Sequence, residues 1–339
     1  MIFHPPILAL ILASALSSGL AVWASLFAVK LLGGWNLASG AEAQLRLERQ
    51  TYLVSTVLAF VMVVELASLI LFVFNADRMA PMFVGAMCAV GVLNASVYGF
   101  PALLAKIAVF FAASLWLAVN HADGLACDYP LIRVKYRLLL GLAPLVLLAA
   151  GLQLAYFLDI KADTITSCCG KLFTPDKAGL AGEMAGLKEG TALWLFYGGL
   201  ALTLAAGAFA RFYAGAAAWG KRAFLAYGTA SGAFFAVALA AIVSVISLYI
   251  YDHPHHHCPF CLLKREYGHF GFFLYAPLFA GTALGLAAGF LGLMRNMASL
   301  AAVLPALQRR FVAVSMGCFG TFGLMTVWAI AASKLVLFG

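Results

Sequence analysis

The sequence predicts an all-α polytopic membrane protein with about eight transmembrane helices and both termini extracytoplasmic. Three observations predict it. Of 339 residues, 65% are hydrophobic and only 10% charged, too few charges to clothe a soluble globule of this size. Apolar runs recur at lengths near the roughly 20 residues a helix needs to cross a bilayer. The basic residues gather in alternate loops, as the positive-inside rule requires.

The apolar runs lie at about 5–32, 51–75, 100–120, 138–158, 191–211, 223–250, 270–294 and 311–336. No Lys or Arg precedes the first, and it exceeds the usual core of a signal peptide, so it reads as a retained helix. The stretch Ala43–Arg49 is short, amphipathic and basic, which fits an interfacial helix. Between Arg78 and Phe100, Gly85, Gly91 and Asn94 break the apolar pattern, and a re-entrant or interfacial hairpin is expected. Glu65 and Lys106 fall within the spans at depths of about 15 Å and 9 Å, counted at about 1.5 Å per residue, close enough for an ion pair or a proton path. The longest outer segment, 159–190, holds Gly170, Pro175, Gly179, Gly182 and Gly190 and predicts an irregular lid.

The net charge of +8 is accounted for by Lys30, Arg46 and Arg49, then Arg133, Lys135 and Arg137, then Arg211, Lys221 and Arg222, then Arg295, Arg309 and Arg310. These mark the odd loops as cytoplasmic, and no nucleic-acid partner is implied. The even loops then face outward and carry the two cysteine pairs, Cys168 with Cys169 and Cys258 with Cys261, on the oxidising side. Cys127 faces the cytoplasm and Cys88 lies near the outer surface. Cys318, inside the last run, reads as a small apolar filler.

Chemistry concentrates in one polar stretch, Asp252-His253-Pro254-His255-His256-His257-Cys258-Pro259-Phe260-Cys261. A Cys-x-x-Cys at the outer mouth of a helix suits disulfide exchange, because a helix N-terminus and nearby cations favour the nucleophilic thiolate. Pro259 stiffens the turn, and His255, His256 and His257 can carry protons or tune the thiolate.

The run Cys258-Pro259-Phe260-Cys261-Leu262-Leu263-Lys264-Arg265 resembles the motif of the DsbB-type disulfide-generating membrane oxidases. The order of elements resembles the related vitamin K epoxide reductase family: a helix, an outer loop with a cysteine pair, two helices, then a Cys-x-x-Cys leading into a fourth. The resemblance implies a quinone beside Arg265 and catalytic roles for Cys258, Cys261, Cys168 and Cys169, and Tyr267 and His269 are read from their position as further candidate groups around that quinone. It implies a bacterial inner (plasma) membrane location, and as partners the bilayer, the quinone pool and an extracytoplasmic thiol protein or membrane partner subunit.

The same residues also compose a metal site. His255, His256, His257, Cys258 and Cys261 are ligands for soft ions such as Cu, Zn or Hg, with Cys168 and Cys169 as further donors. A purely structural role, with the two pairs stapling outer loops, is a third alternative. Haem is disfavoured because no two His residues face each other in mid-helix. A transport role would need energy from a partner, since no Walker motif is present. The expected organisation is a three-helix region over 1–137, a four-helix thiol-redox core over 138–294, and a C-terminal helix over 295–339. The expected function is a membrane thiol–disulfide oxidoreductase linked to a quinone.

Overall fold

Apolar runs bounded by polar or Gly/Pro residues fold here as long helices. The computed structural model describes residues 4–36, 41–126, 128–161, 166, 187–213 and 217–335. Among them, eight helices are long and apolar enough to span a membrane. We label these α1 (Pro5–Gly34), α2 (Glu42–Met79), α3 (Gly99–Gly124), α4 (Ile132–Asp159), α5 (Glu189–Phe212), α6 (Gly220–Tyr251), α7 (Phe270–Gly292) and α8 (Leu304–Ala332). α1 and α8 each begin with proline in the first turn, where its missing N–H costs no helical bond. Large apolar side chains such as Leu16, Leu26, Phe60, Leu104, Trp194, Leu324 and Trp328 point outward along the helices. That much exposed apolar surface is unfavourable in water and natural in lipid, so the chain is an integral membrane protein.

Residues 43–49 are not a separate interfacial helix: they form the first turns of α2, tied by Arg46 to Glu42 and by Gln44 to Glu48. Beyond Met79 the chain tightens into a 3-10 turn, Ala80–Met82, then a left-handed turn at Gly85 and a short helix, Ala89–Leu93. Residues Cys88 to Leu93 are all buried, so this segment packs inside protein.

The chain divides into two compact units. The first comprises Met1–Met79 and Leu93–Thr164. Within it α1 packs on α2 and α4, and α3 packs on α2 and α4, a four-helix ring of chain neighbours. Its core includes Leu31, Leu58, Met62, Val109, Trp116 and Tyr136. It also buries charge: Lys135 donates to Asp123 at 2.9 Å and to Asn120 at 3.1 Å, while Asp123 accepts the Leu131 N–H at 2.8 Å. The remaining Asp123 and Lys135 valences are thus largely met, as a buried pair demands. Lys106 donates to Ser68 at 2.7 Å, one turn from buried Glu65, in place of a direct ion pair within 4 Å.

The second unit comprises Ala80–Val92 and Ile165–Gly339, with α5, α6, α7 and α8 again forming a ring of chain neighbours. This grouping differs from the expected 138–294 core. The helix over 138–158 is α4 and packs with the helices before it, whereas the C-terminal helix α8 closes the ring of α5 to α7. Phe196, Phe234, Phe319 and Phe322 interlock with ring centroids 5.3–6.2 Å apart. Lipid is as apolar as phenylalanine, so this cluster holds by close packing and ring geometry. Gly228 and Gly289 bring α6 and α7 together: a Cβ on Gly289 would lie 2.8 Å from the Gly228 Cα.

Candidate functional site

The site forms at one end of α6 and α7 in the second unit. α6 widens into a π-helical turn at Ile242–Ile246 before its last turn, Ser247–Tyr251. Such turns displace backbone carbonyls from the regular ladder, and the Val243 carbonyl accepts a bond from His257 Nδ1 at 2.9 Å. A carbonyl only accepts, so His257 Nδ1 is the donor of this bond. α6 ends at Asp252, which adopts a left-handed conformation with φ 50° and turns the chain into the His-rich stretch. Asp252 accepts hydrogen bonds from Ser333 Oγ and the Lys334 N–H just beyond α8. The Ser333 bond, and after it the Lys334 amide, holds this carboxyl below its usual range.

Two phenols fix the Cys-x-x-Cys backbone. Tyr251 on α6 donates to the Cys258 carbonyl at 2.5 Å, and Tyr275 on α7 donates to the Pro259 carbonyl at 2.6 Å. Cys261 opens a 3-10 turn, Cys261–Leu263, and a second, Arg265–Tyr267, follows before α7 starts at Phe270. The cysteines therefore precede the long helix by two turns and do not cap it directly. Gly271 lets the first turn of α7 lie on this segment, since a Cβ there would meet the Leu262 backbone at 2.9 Å.

The decisive neighbour comes from a distant stretch of chain. Cys88 Sγ lies 3.4 Å from Cys258 Sγ, and the sulfurs of Cys88, Cys258 and Cys261 all fall within 4.8 Å of one another. All three are thiols, with relative exposures of 0%, 0% and 4%. Cys88 reaches this point because the chain turns tightly at Gly85, where φ is +86° and any Cβ would collide with the Thr166 carbonyl. Thr166 in turn donates its N–H to the Val84 carbonyl at 2.9 Å.

The other predicted residues take separate places. His256 is half-buried and stacks on Tyr251 with centroids 4.1 Å apart. Burial, outweighing the nearby Cys88, pushes its imidazole below the usual range, with His253 and His257 adding to the effect. His257 is buried, and His255 is exposed and stands beside His253. None of the three belongs to the sulfur group. Arg265 is exposed, and Tyr267 packs against Tyr251 at 4.5 Å. His269 is bonded through Nδ1 to the Leu263 carbonyl at 2.8 Å. An open apolar groove of about 460 Å³ runs between α7 and α8, lined by Phe272, Phe273, Pro277, Val314, Cys318 and Met325 among others, and Arg265 is not in its wall. Cys168 and Cys169 lie outside the described residues, as does Cys127.

No family model, curated protein or solved structure matches the chain. The chemistry therefore rests on the residues themselves. Three buried sulfurs within 4.8 Å of one another support two kinds of chemistry: exchange of a disulfide among them, or shared coordination of a soft cation.

Proposed function

We propose that the protein is a membrane thiol–disulfide oxidoreductase whose central sulfur is Cys258. The observation that carries this is the 3.4 Å approach of Cys88 to Cys258, with Cys261 in the same group. Disulfide exchange needs direct attack of one sulfur on another, and a third thiol beside a Cys-x-x-Cys pair supplies the attacker. In one step the Cys88 thiolate forms a bond to Cys258 Sγ, the Cys258–Cys261 bond breaks, and Cys261 leaves as thiolate. No external electrons are needed. The hydrogen bonds to the Cys258 and Pro259 carbonyls hold the attacked sulfur in place while its partner changes.

Cys168 and Cys169 are the proposed outer exchange pair. In support, Thr166, two residues before Cys168, is tied to Val84, four residues before Cys88. The alternation of loop charge supports an extracytoplasmic face for all of these cysteines and for both termini. Closing a disulfide from two thiols releases two electrons and two protons, and a membrane quinone is the acceptor that the likeness at Arg265 implies. Arg265 would hold the quinone head group, and the apolar groove beginning at Phe272, seven residues on, suits an isoprenoid tail.

The test is dithiol-driven reduction of a soluble quinone analogue by the full chain in lipid nanodiscs. Wild type turns over, Cys258→Ser and Cys261→Ser fall to background, and a chelator has no effect. Undiminished turnover in Cys258→Ser contradicts the proposal.

A further inference from the structure

The three sulfurs are also arranged as a ligand set, and this follows from their positions whether or not electrons pass through them. Two cysteine sulfurs three residues apart in one turn and a third from a separate segment converge within 4.8 Å, and among the described residues no carboxylate or imidazole joins the group. All-sulfur donation excludes hard cations such as Mg²⁺ and Ca²⁺, which take oxygen ligands. Zinc is almost always held by four ligands, one more than converge among the described residues. Cu(I) is soft and is satisfied by thiolates alone. With metal–sulfur bonds of about 2.3 Å, a trigonal ion sets its sulfurs about 4 Å apart. The Cys88–Cys258 pair therefore opens modestly from 3.4 Å, and all three stay within the observed span.

The surroundings fit a built site. Cys88 and Cys258 are fully buried, so water does not compete, and the turn carrying Cys258 is fixed by Tyr251 and Tyr275 before any ion arrives. We infer that the reduced Cys88–Cys258–Cys261 cluster binds one Cu(I) ion. As the copper–sulfur bonds form, the thiols lose their protons to solvent. A disulfide between any two of the sulfurs removes two donors, so ion binding and disulfide formation exclude each other.

The experiment uses the full chain in nanodiscs, reduced anaerobically and freed of reductant, competing for Cu(I) against a coloured bidentate Cu(I) chelator. The expected result is one Cu(I) withdrawn per chain. Loss of an outer-shell partner alone weakens metal sites by about 10–100-fold, so Cys88→Ser and Cys261→Ser should each weaken binding by about 100-fold or more. Cys318 is not one of the grouped sulfurs, so Cys318→Ser leaves Cu(I) binding unchanged. Because a buried variant can misfold, X-ray absorption on the wild-type complex gives an independent count, with three sulfurs at about 2.3 Å expected. No withdrawal of Cu(I), unchanged binding in Cys88→Ser, or a coordination shell of nitrogen or oxygen overturns the inference. Stoichiometric Cu(I) binding without quinone turnover would leave this site standing and remove the oxidoreductase reading. Turnover without Cu(I) binding would do the reverse.

Discussion

Tyr251 is the residue on which most of the site converges: its hydroxyl holds the Cys258 carbonyl and its ring carries His256 and Tyr267. Tyr251→Phe leaves a buried carbonyl without that donor, which costs about 1–3 kcal/mol. The expected outcome is a lower thermal transition and faster alkylation of Cys258 in folded protein. His256 gives the site a pH dependence. Burial depresses its folded-state pKa, so the unfolded chain takes up the proton first as pH falls. Stability from the stacked neutral ring is complete above about pH 6.5, the unperturbed imidazole range, and is lost as pH drops through that value toward the depressed one. Thermal unfolding between pH 7.5 and 5.5 should show this loss, and His256→Phe should flatten it. At this scale the sequence revealed Cys258 and Cys261 by spacing and missed Cys88. Cys88 lies 170 positions away in a segment without regular periodicity, and nothing in its local sequence marks it as a partner of the Cys-x-x-Cys pair.

Among the elements, α6 and α7 do the positioning. The π-helical turn in α6 turns the Val243 carbonyl toward His257, and the glycine contact sets how closely the two helices approach. Gly289→Leu forces side-chain atoms into the Gly228 backbone and should cost about 1–3 kcal/mol or more by overpacking. Because Gly289 lies at the other end of α7 from Tyr275, the expected signature is a lowered thermal transition together with loss of quinone turnover. Retained turnover at wild-type stability would show that this contact does not set the spacing. Helix existence was legible from hydropathy because eight apolar runs admit few other structures in lipid. The ends were less so: α2 begins at Glu42 because a polar amphipathic turn joins smoothly onto an apolar span, and α8 begins at Leu304 for the same reason. The π turn left no sequence trace, since Ile242-Val243-Ser244-Val245-Ile246 is as apolar as its flanks.

For the whole molecule, the number of helices could be read from the chain but their grouping could not. Apolar faces in lipid carry no long-range label, so the helix over 138–158 looked as suited to the following helices as to those it joins. The second unit places its sulfurs by joining two pieces of sequence, Ala80–Val92 and the chain after Ile165. In the proposed chemistry Cys88 and Cys258 exchange one disulfide with Cys261. Cys261→Ala removes the leaving sulfur, so an oxidised chain can close only the bond between the other two. The direct measurement is peptide mapping by mass spectrometry of Cys261→Ala, oxidised in nanodiscs by the quinone analogue and quenched in acid with an alkylating agent. The expected product of this exchange is a linked peptide containing Cys88 and Cys258, absent when Cys88→Ser is added. Recovery of both residues as alkylated thiols under the same oxidation would contradict it.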